Sequence, residues 1–371
     1  MSATPVPSHF ADVLAQYELR GRHLSAAPYG SGHINDTYVV NCAPATGQPV
    51  RYIAQRINDR VFKNVPALME NVQRVTAHLK RRAGPASRQL ALVPARDGGA
   101  SIRDALGGWW RLYDFIEGAH TVDRVTGEAQ ARVAAQAFGD FQAQLTDLPG
   151  GRLQETIPNF HHTRSRFENF RRAVQADQAG RAAGVAPEIA FAFSREADAD
   201  VLLGLLAQGE VSERVTHNDT KINNVMLDDA TQHAVAVIDL DTVMPGLPLY
   251  DFGEMVRTSA SSTFEDDPHP ENMRLELLYF RVLVEGYLAS AVGAVLNATE
   301  RAHLGFAGKL MTYENGLRFL TDYLQGDIYY KIQHPRHNLD RCRTQFALVR
   351  SIEAQRDALT RILDSAAKSG S

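Results

Sequence analysis

The stretch Val215-Thr216-His217-Asn218-Asp219-Thr220-Lys221-Ile222-Asn223-Asn224, followed by the apolar run Ala234-Val235-Ala236-Val237-Ile238 and then Asp239, constrains this chain more than any other. The apolar run reads as a strand capped by a carboxylate. Ahead of it, His, Asp and Asn stand in order on a polar loop. A plain turn between a helix and a strand requires none of these residue types in that order. Phosphoryl transfer from a nucleotide to a hydroxyl requires all of them. One carboxylate takes the acceptor proton, and an Asn and a second carboxylate hold Mg2+ against the triphosphate. Asp219 is therefore the candidate base, and Asn224 and Asp239 are the candidate metal ligands. Lys221 is a candidate cation for the charge on the moving phosphoryl group. His217 reads as an organiser of the loop.

With 371 residues the chain is too long for one small core and suits two lobes. Its hydrophobic share of 44% and charged share of 22% are those of an ordinary globular protein. A formal net charge of -4 offers no basic surface to nucleic acid, so an anionic ligand has to be held by a local site. Cys42 and Cys342 sit in no metal-binding pair and read as reduced thiols. Met1-Ser2-Ala3-Thr4-Pro5 lacks the charged-then-apolar pattern of a signal segment. The longest apolar region, 275–298, is interrupted by Glu276, Arg281 and Glu285, as in an amphipathic helix and unlike a membrane span. A soluble, cytoplasmic, monomeric enzyme with neither nucleic-acid nor membrane partners is expected.

The first third reads as a small sheet with one helix. Tyr38-Val39-Val40, residues 51–54, 90–94 and 109–113 are β-type runs, and 65–80 places Leu68, Val72, Val75 and Leu79 on one helical face. After Gly118 helical periodicity takes over, at 130–145, 165–175, 194–206, 272–292, 299–324 and 343–363. Only 234–238 reads as a strong strand in that part. The fold class implied is α+β and bilobal, like a protein kinase: an antiparallel-sheet N-lobe over 1–113, a hinge at 114–118, and a larger, mainly helical C-lobe over 119–371.

Gly30-Ser31-Gly32-His33-Ile34-Asn35-Asp36-Thr37 precedes the first β-type run. Glycines let backbone N–H groups approach phosphate oxygens, so Gly30, Ser31, Gly32, His33, Asn35 and Thr37 form the candidate phosphate cradle. Positions i and i+2 of a strand share a face, and Ala54-Gln55-Arg56 puts Arg56 where many kinases carry a phosphate-binding Lys. An exposed strand Arg would look the same. Glu70, on the following helix, is the candidate partner for Arg56, although a solvated helix charge fits equally. Tyr113 and Phe115 border the segment expected to meet adenine, and Asp123 is the candidate for the ribose. Asp251-Phe252-Gly253 spells a familiar metal-binding triplet but follows Leu247-Pro248-Leu249-Tyr250 and no strand. Asp251 is therefore expected to brace the catalytic loop, and Asp241 to stand behind the metal site.

Taken together, His217-Asn218-Asp219 through Asn224, Val237-Ile238-Asp239 and Tyr250-Asp251-Phe252-Gly253 resemble the aminoglycoside phosphotransferase and choline kinase superfamily. Within it, Val61-Phe62-Lys63-Asn64, residues 30–35, 239–246 and 318–324 resemble the N-acetylhexosamine 1-kinases, over almost the whole chain. That resemblance implies ATP, Mg2+ and transfer to the anomeric hydroxyl of GlcNAc or GalNAc. It also implies Arg318 and Tyr329 as sugar contacts. An Arg318–Asp322 helix salt bridge and plain packing of Tyr329 are the alternatives. Residues 159–164, with His161 and His162, could border the same pocket. Arg56 departs from the usual Lys. A protein kinase is disfavoured because no Ala-Pro-Glu follows Asp239 and no Arg immediately precedes Asp219. A choline, homoserine or aminoglycoside kinase would serve a different acceptor, a cationic one calling for an acidic or aromatic pocket. A catalytically dead nucleotide-binding module is the reading from another class.

Overall fold

The computed structural model describes residues 4–30, 34–84 and 87–369. The chain has the expected class, an antiparallel sheet in its N-terminal part and a mainly helical C-terminal part. It divides into two compact units. The sheet unit gathers Met1–His120, Asp147–Pro158 and Met226–Met244, and the helical unit gathers Thr121–Thr146, Asn159–Val225 and Pro245–Ser371.

In the sheet unit, α1 (Phe10–Leu14) precedes β1 (Arg22–Pro28), β2 (Asp36–Ala43), β3 (Val50–Ile57), α2 (Val65–Ala83), β4 (Ile102–Arg103), β5 (Trp109–Asp114) and β6 (Ala119–His120). The main sheet is antiparallel in the order β1-β2-β3-β5-β4. Strand alternation sorts its side chains onto two faces. Tyr38, Tyr52, Ala54, Trp110 and Leu112 pack with Phe10 and Val13 of α1 in one core. On the other face the register aligns Thr37 with Gln55 and Gln55 with Arg111. β1 escapes sequence reading because most of it is exposed and Arg22-His23-Leu24 runs into Ser25-Ala26-Ala27-Pro28, so no apolar alternation marks it. The expected strand at 90–94 forms only an isolated bridge, Leu92 to Tyr113.

The α2 helix begins where Asn64 accepts the N–H of Ala67 at 3.2 Å and Pro66 stands in the first turn. Its buried Asn71 donates to the carbonyls of Gln154 (2.8 Å) and Val243 (3.1 Å) and accepts the N–H of Gln154 at 3.0 Å. One amide thus ties the helix to two distant segments of its unit. β8 (Val225–Asp228) and β9 (Ala234–Val237) form a second sheet, in the order β6-β8-β9, that delivers Asp239.

The helical unit contains α3 (Glu128–Gln144), α4 (Thr163–Ala176), α5 (Ala186–Phe193), α6 (Val201–Ala207), β7 (Arg214–Thr216), α7 (Pro248–Ser259), α8 (Leu277–Ala289), α9 (Ala298–Ala302), α10 (Leu304–Gln325), α11 (His337–Ala354) and α12 (Arg356–Ser369). A short strand, β10 (Met244–Gly246), leads into α7. The α10 helix is central: Tyr313, Leu317 and Leu320 pack with Phe167 and Phe170 of α4 and with Phe346 and Val349 of α11. Gly253 lets α7 approach α10, because a Cβ there would stand 2.4 Å from the carbonyl oxygen of Ala307. The expected helix at 299–324 breaks at His303 and that at 343–363 breaks at Gln355, while 194–206 becomes a 3-10 turn followed by α6. Both described cysteines are free and buried. Among the described residues no helix is long and apolar enough to cross a membrane.

Candidate active site

In the helical unit the loop after β7 is built around the buried Asp251 of α7. Its carboxylate accepts the backbone N–H of His217 (3.0 Å) and of Asn218 (2.6 Å), and Gln142 of α3 donates to it as well. Thr220 Oγ1 donates to the Asp251 carbonyl at 2.6 Å. His217 lies edge-on to Phe138 and Phe141. Asn218 adopts a left-handed φ of 65°, a conformation that an Asn tolerates better than most residues. Its carbonyl is held by His161 Nε2 at 2.8 Å, and His161 Nδ1 meets Glu314 of α10 at 2.8 Å. Gly246 completes this packing: a Cβ there would stand 2.3 Å from Thr216 Oγ1 and 2.8 Å from Asn218 Oδ1. Strain and buried polar partners concentrated in one loop indicate a geometry held for chemistry.

This frame presents Asp219. Lys221 Nζ stands 2.8 Å from its carboxylate. Burial pushes the Asp219 carboxyl up, but Lys221, with His217 and Arg257 behind it, outweighs burial and holds it below the ordinary carboxylate range. Asp219 raises Lys221 in turn, against burial, to about 12. Asn224 Nδ2 donates to the Asp219 carbonyl at 2.8 Å, which leaves its amide oxygen as the donor atom for a cation. Asp219, Lys221 and Asn224 are thus brought together.

In the sheet unit Asp239 follows β9 with a left-handed φ of 57°, and its side chain is exposed. Oxygen donors of the Asn and Asp type suit Mg2+, which takes much of its coordination from water and substrate phosphates. Among the described residues no group of three or more His, Cys, Asp and Glu gathers to hold a metal alone. Gly30 has a left-handed φ of 78°, whereas Ser31, Gly32 and His33 lie outside the described residues. Asn35 donates to Asp241 at 2.6 Å, and Thr37 accepts from Gln55 at 3.1 Å. Tyr113 is buried, and Phe115 is capped by the Arg51 guanidinium 3.7 Å above its ring. Asp123 is exposed, in the helical unit.

Arg56 and Glu70 are not brought together. Arg56 is exposed on the Ala54 face of β3, opposite Trp110, and its guanidinium borders Gly108. Glu70 turns instead to Arg74, four residues on in α2, at 3.6 Å. The spacing of one helical turn supplies the nearer cation. Sequence reasoning missed Arg111, which is 1% exposed and donates to Asp241 and to Gln55 Oε1.

Within the helical unit a cavity of about 480 Å3 opens beside Arg318 and Tyr329. Arg318 does not pair with Asp322. Asp322 accepts the backbone N–H groups of Ile328 (2.9 Å), Tyr329 (2.8 Å) and Tyr330 (3.0 Å) and the amide of Asn338 (2.8 Å). Arg318 instead meets Asn315 Oδ1 at 3.4 Å and the faces of Phe160 and Tyr330. Phe160 in turn lies against His161, with the rings tilted by 59° and their centroids 4.5 Å apart, which links the cavity to the Asn218 end of the loop after β7. Arg166, also missed from sequence, lies close enough to Arg318 that burial first, and the neighbouring guanidinium second, depress its pKa. The buried hydroxyl of Tyr330 has no hydrogen-bond partner among the described residues. An orphaned phenol beside two guanidiniums is a surface made for an oxygen-bearing ligand.

A model of the phosphotransferase enzyme family matches residues 25–281. The chain belongs to that family. This phosphotransferase is similar in fold to a microcompartment-associated aminopropanol kinase, at 18% identity and a TM-score of 0.62 over 94% of this chain and 97% of that one. It is likewise similar to an amicoumacin kinase solved with AMP-PNP and Ca2+, at 14% identity and a TM-score of 0.57 over 92% and 93% of the two chains. An aminoglycoside phosphotransferase from Alicyclobacillus acidocaldarius matches at 15% identity and a TM-score of 0.55, over 100% of this chain and 98% of its own.

Proposed function

We propose that this phosphotransferase moves the γ-phosphoryl group of ATP to a neutral, hydroxyl-rich small molecule. The acceptor we infer is the anomeric hydroxyl of an N-acetylhexosamine, GlcNAc or GalNAc, with the sugar 1-phosphate as product. One observation carries the acceptor class. The cavity beside α10 presents Arg166, Arg172 and Arg318, and among its described lining residues the one carboxylate is Asp322. That carboxylate is already taken by three backbone N–H groups and one amide. A protonated amine, as in choline, an amino alcohol or an aminoglycoside, would enter a cationic pocket with no free counter-charge, which disfavours it. Sugar hydroxyls and an acetamido carbonyl are acceptors for the Arg forks, and the Tyr329 ring, 61% exposed, offers a face for sugar C–H groups.

In this reading Asp219 takes the proton of the attacking hydroxyl and Lys221 balances charge on the transferred group. A base of low pKa suffices, because an anomeric hydroxyl is more acidic than an ordinary alcohol and the transition state is loose. Asn224 and Asp239 are the oxygen donors for Mg2+. Bound there, the ion would neutralise phosphate charge. A cytoplasmic, monomeric enzyme completes the proposal.

The test is ATP consumption over free N-acetylhexosamines, neutral hexoses, choline, aminopropanol and aminoglycosides, with the phosphate position read by 31P NMR. Turnover confined to the amine-bearing acceptors would refute the acceptor class. Arg318→Ala is expected to raise KM for the sugar about 10- to 100-fold, the worth of one or two charged hydrogen bonds. It should lower the thermal midpoint little, because the buried carboxylates within its reach, Glu314 and Glu254, keep His161 and Arg257 as partners, and because its loss relieves Arg166. An unchanged KM would show that Arg318 only packs.

A further inference from the structure

The face of the main sheet opposite α1 carries a closed polar network that no role assigned above explains. Gln55 Nε2 donates to Thr37 Oγ1 at 3.1 Å, and Arg111 Nε donates to Gln55 Oε1 at 2.9 Å. Arg111 Nη1 donates to Asp241 Oδ1, whose other oxygen accepts Asn35 Nδ2 at 2.6 Å. Asn35 Oδ1 then accepts the N–H of Asn58 at 3.0 Å, and Thr156 Oγ1 reaches the Asp241 carbonyl at 2.8 Å. The chain of bonds therefore runs from Asn35, the residue before β2, across β2, β3 and β5, to a residue two positions beyond Asp239.

At its centre is an ion pair whose side chains are 1% and 3% exposed. Removing two charges from water costs several kcal/mol per ion, so such a pair is a poor way to hold a core together. Its partners fix the guanidinium without using it up. Nε donates to Gln55 and Nη1 to Asp241, two of the five N–H donors that a guanidinium carries. Asp239 also lies within electrostatic reach of Arg111, so the network borders the carboxylate assigned to the metal. Arg56, by contrast, shares its face with Ala54 and the α1-packed core, and Glu70 does not hold it.

We propose that Arg111, oriented by Asp241 and Gln55, is the cation that contacts the nucleotide's phosphates, in the place the sequence assigns to Arg56. This rests on the phosphoryl-transfer reading and deepens it. The logic of a strand cation held by a carboxylate is kept, but the cation comes from β5 and the carboxylate from the segment that follows Asp239. Planar, bidentate Arg suits this better than Lys, since one fork serves Gln55 and Asp241 while leaving a nitrogen for phosphate. The same bonds make Asn35 and Thr37 positioning residues for Asp241 and Gln55.

The experiment compares ADP with adenosine, in EDTA so that no metal intervenes, by calorimetric titration of the full chain. Arg111→Gln alone strands a buried Asp241 charge, so the informative variant is Arg111→Gln/Asp241→Asn, with Arg111→Lys as a second. The double variant is expected to bind adenosine within twofold of wild type and ADP about 10- to 30-fold more weakly. Arg111→Lys should lose several-fold on ADP alone, and Arg56→Gln should change neither ligand by more than twofold. ADP affinity retained in the double variant, or lost in Arg56→Gln instead, overturns the assignment. Equal loss of ADP and adenosine also overturns it, by showing a merely structural pair. Failure of wild type to bind MgATP at all would strike the phosphoryl-transfer reading itself.

Discussion

Asp219→Asn is expected to lower kcat for phosphoryl transfer about 10³-fold while MgATP affinity stays within a few-fold of wild type. The change removes the proton acceptor but keeps side-chain shape. The loop that carries it is held elsewhere, through the backbone bonds of His217 and Asn218 to Asp251 and the bond of His161 to the Asn218 carbonyl. Asn224 keeps its bond to the Asp219 carbonyl, which the substitution does not touch. Single-turnover rates with bound ATP provide the measurement, and a variant retaining a tenth of wild-type turnover would remove Asp219 from its role. The electrostatics add a pH statement. Lys221 holds Asp219 below its ordinary value of 3.8, so the carboxylate is ionised throughout the neutral range. The sign follows from the depressed folded pKa: the stability Asp219 contributes is present above pH 3.8 and fades as pH falls through the lower, folded value. Any fall in kcat/KM between pH 7 and 5 must then come from another group, whereas Lys221→Gln removes the largest charge opposing burial and should move the acid limb of Asp219 upward.

The proximity of Asp219, Lys221 and Asn224 was legible because a short loop keeps residues close in sequence within reach of one another. Asp219, Lys221 and Asn224 needed no knowledge of distant contacts. The sheet was harder. Alternation puts Arg56 on the face of Ala54, which is correct, but says nothing about which face α1 covers. That is decided by Phe10 and Val13 meeting Tyr38 and Trp110. Arg111 was invisible for the same reason. In Trp109-Trp110-Arg111-Leu112-Tyr113 an Arg between aromatic and aliphatic neighbours reads as an ordinary strand position, and its partner Asp241 is supplied from far along the chain. Glu70 shows the complementary error, since a local Arg74 captures a carboxylate that was expected to look across the unit. Arg318 and Asp322 have that spacing too, yet do not pair. Backbone N–H groups of the 328–330 turn claim Asp322 first, a competition that side-chain spacing cannot register.

Asp239→Ala and Asp251→Asn should fail in opposite ways, and the contrast decides which aspartate belongs to the metal. Asp251 is committed to the loop: its carboxylate takes two backbone N–H groups and the Gln142 amide, inside a fully buried site. An Asn there would turn an NH2 group toward donors, so the unfolding free energy is expected to fall by about 2–4 kcal/mol, while the folded fraction still binds nucleotide in a Mg2+-dependent way. Asp239 is exposed, in a left-handed conformation at the end of a strand. Truncating it empties no core, so the unfolding free energy should fall by only about 1 kcal/mol, the order of the cost of Ala in a left-handed conformation. What it removes is an anionic oxygen for Mg2+. The Mg2+ concentration needed for half-maximal ATP binding should rise about 100-fold or more, comparable to or beyond the 10- to 100-fold typical of losing an outer-sphere partner. ATP titrations across a range of free Mg2+, paired with urea denaturation of the same preparations, separate the two. Should Asp251→Asn raise the Mg2+ requirement while Asp239→Ala leaves it alone, the metal belongs to α7 and the assignment built on strand-end geometry is wrong.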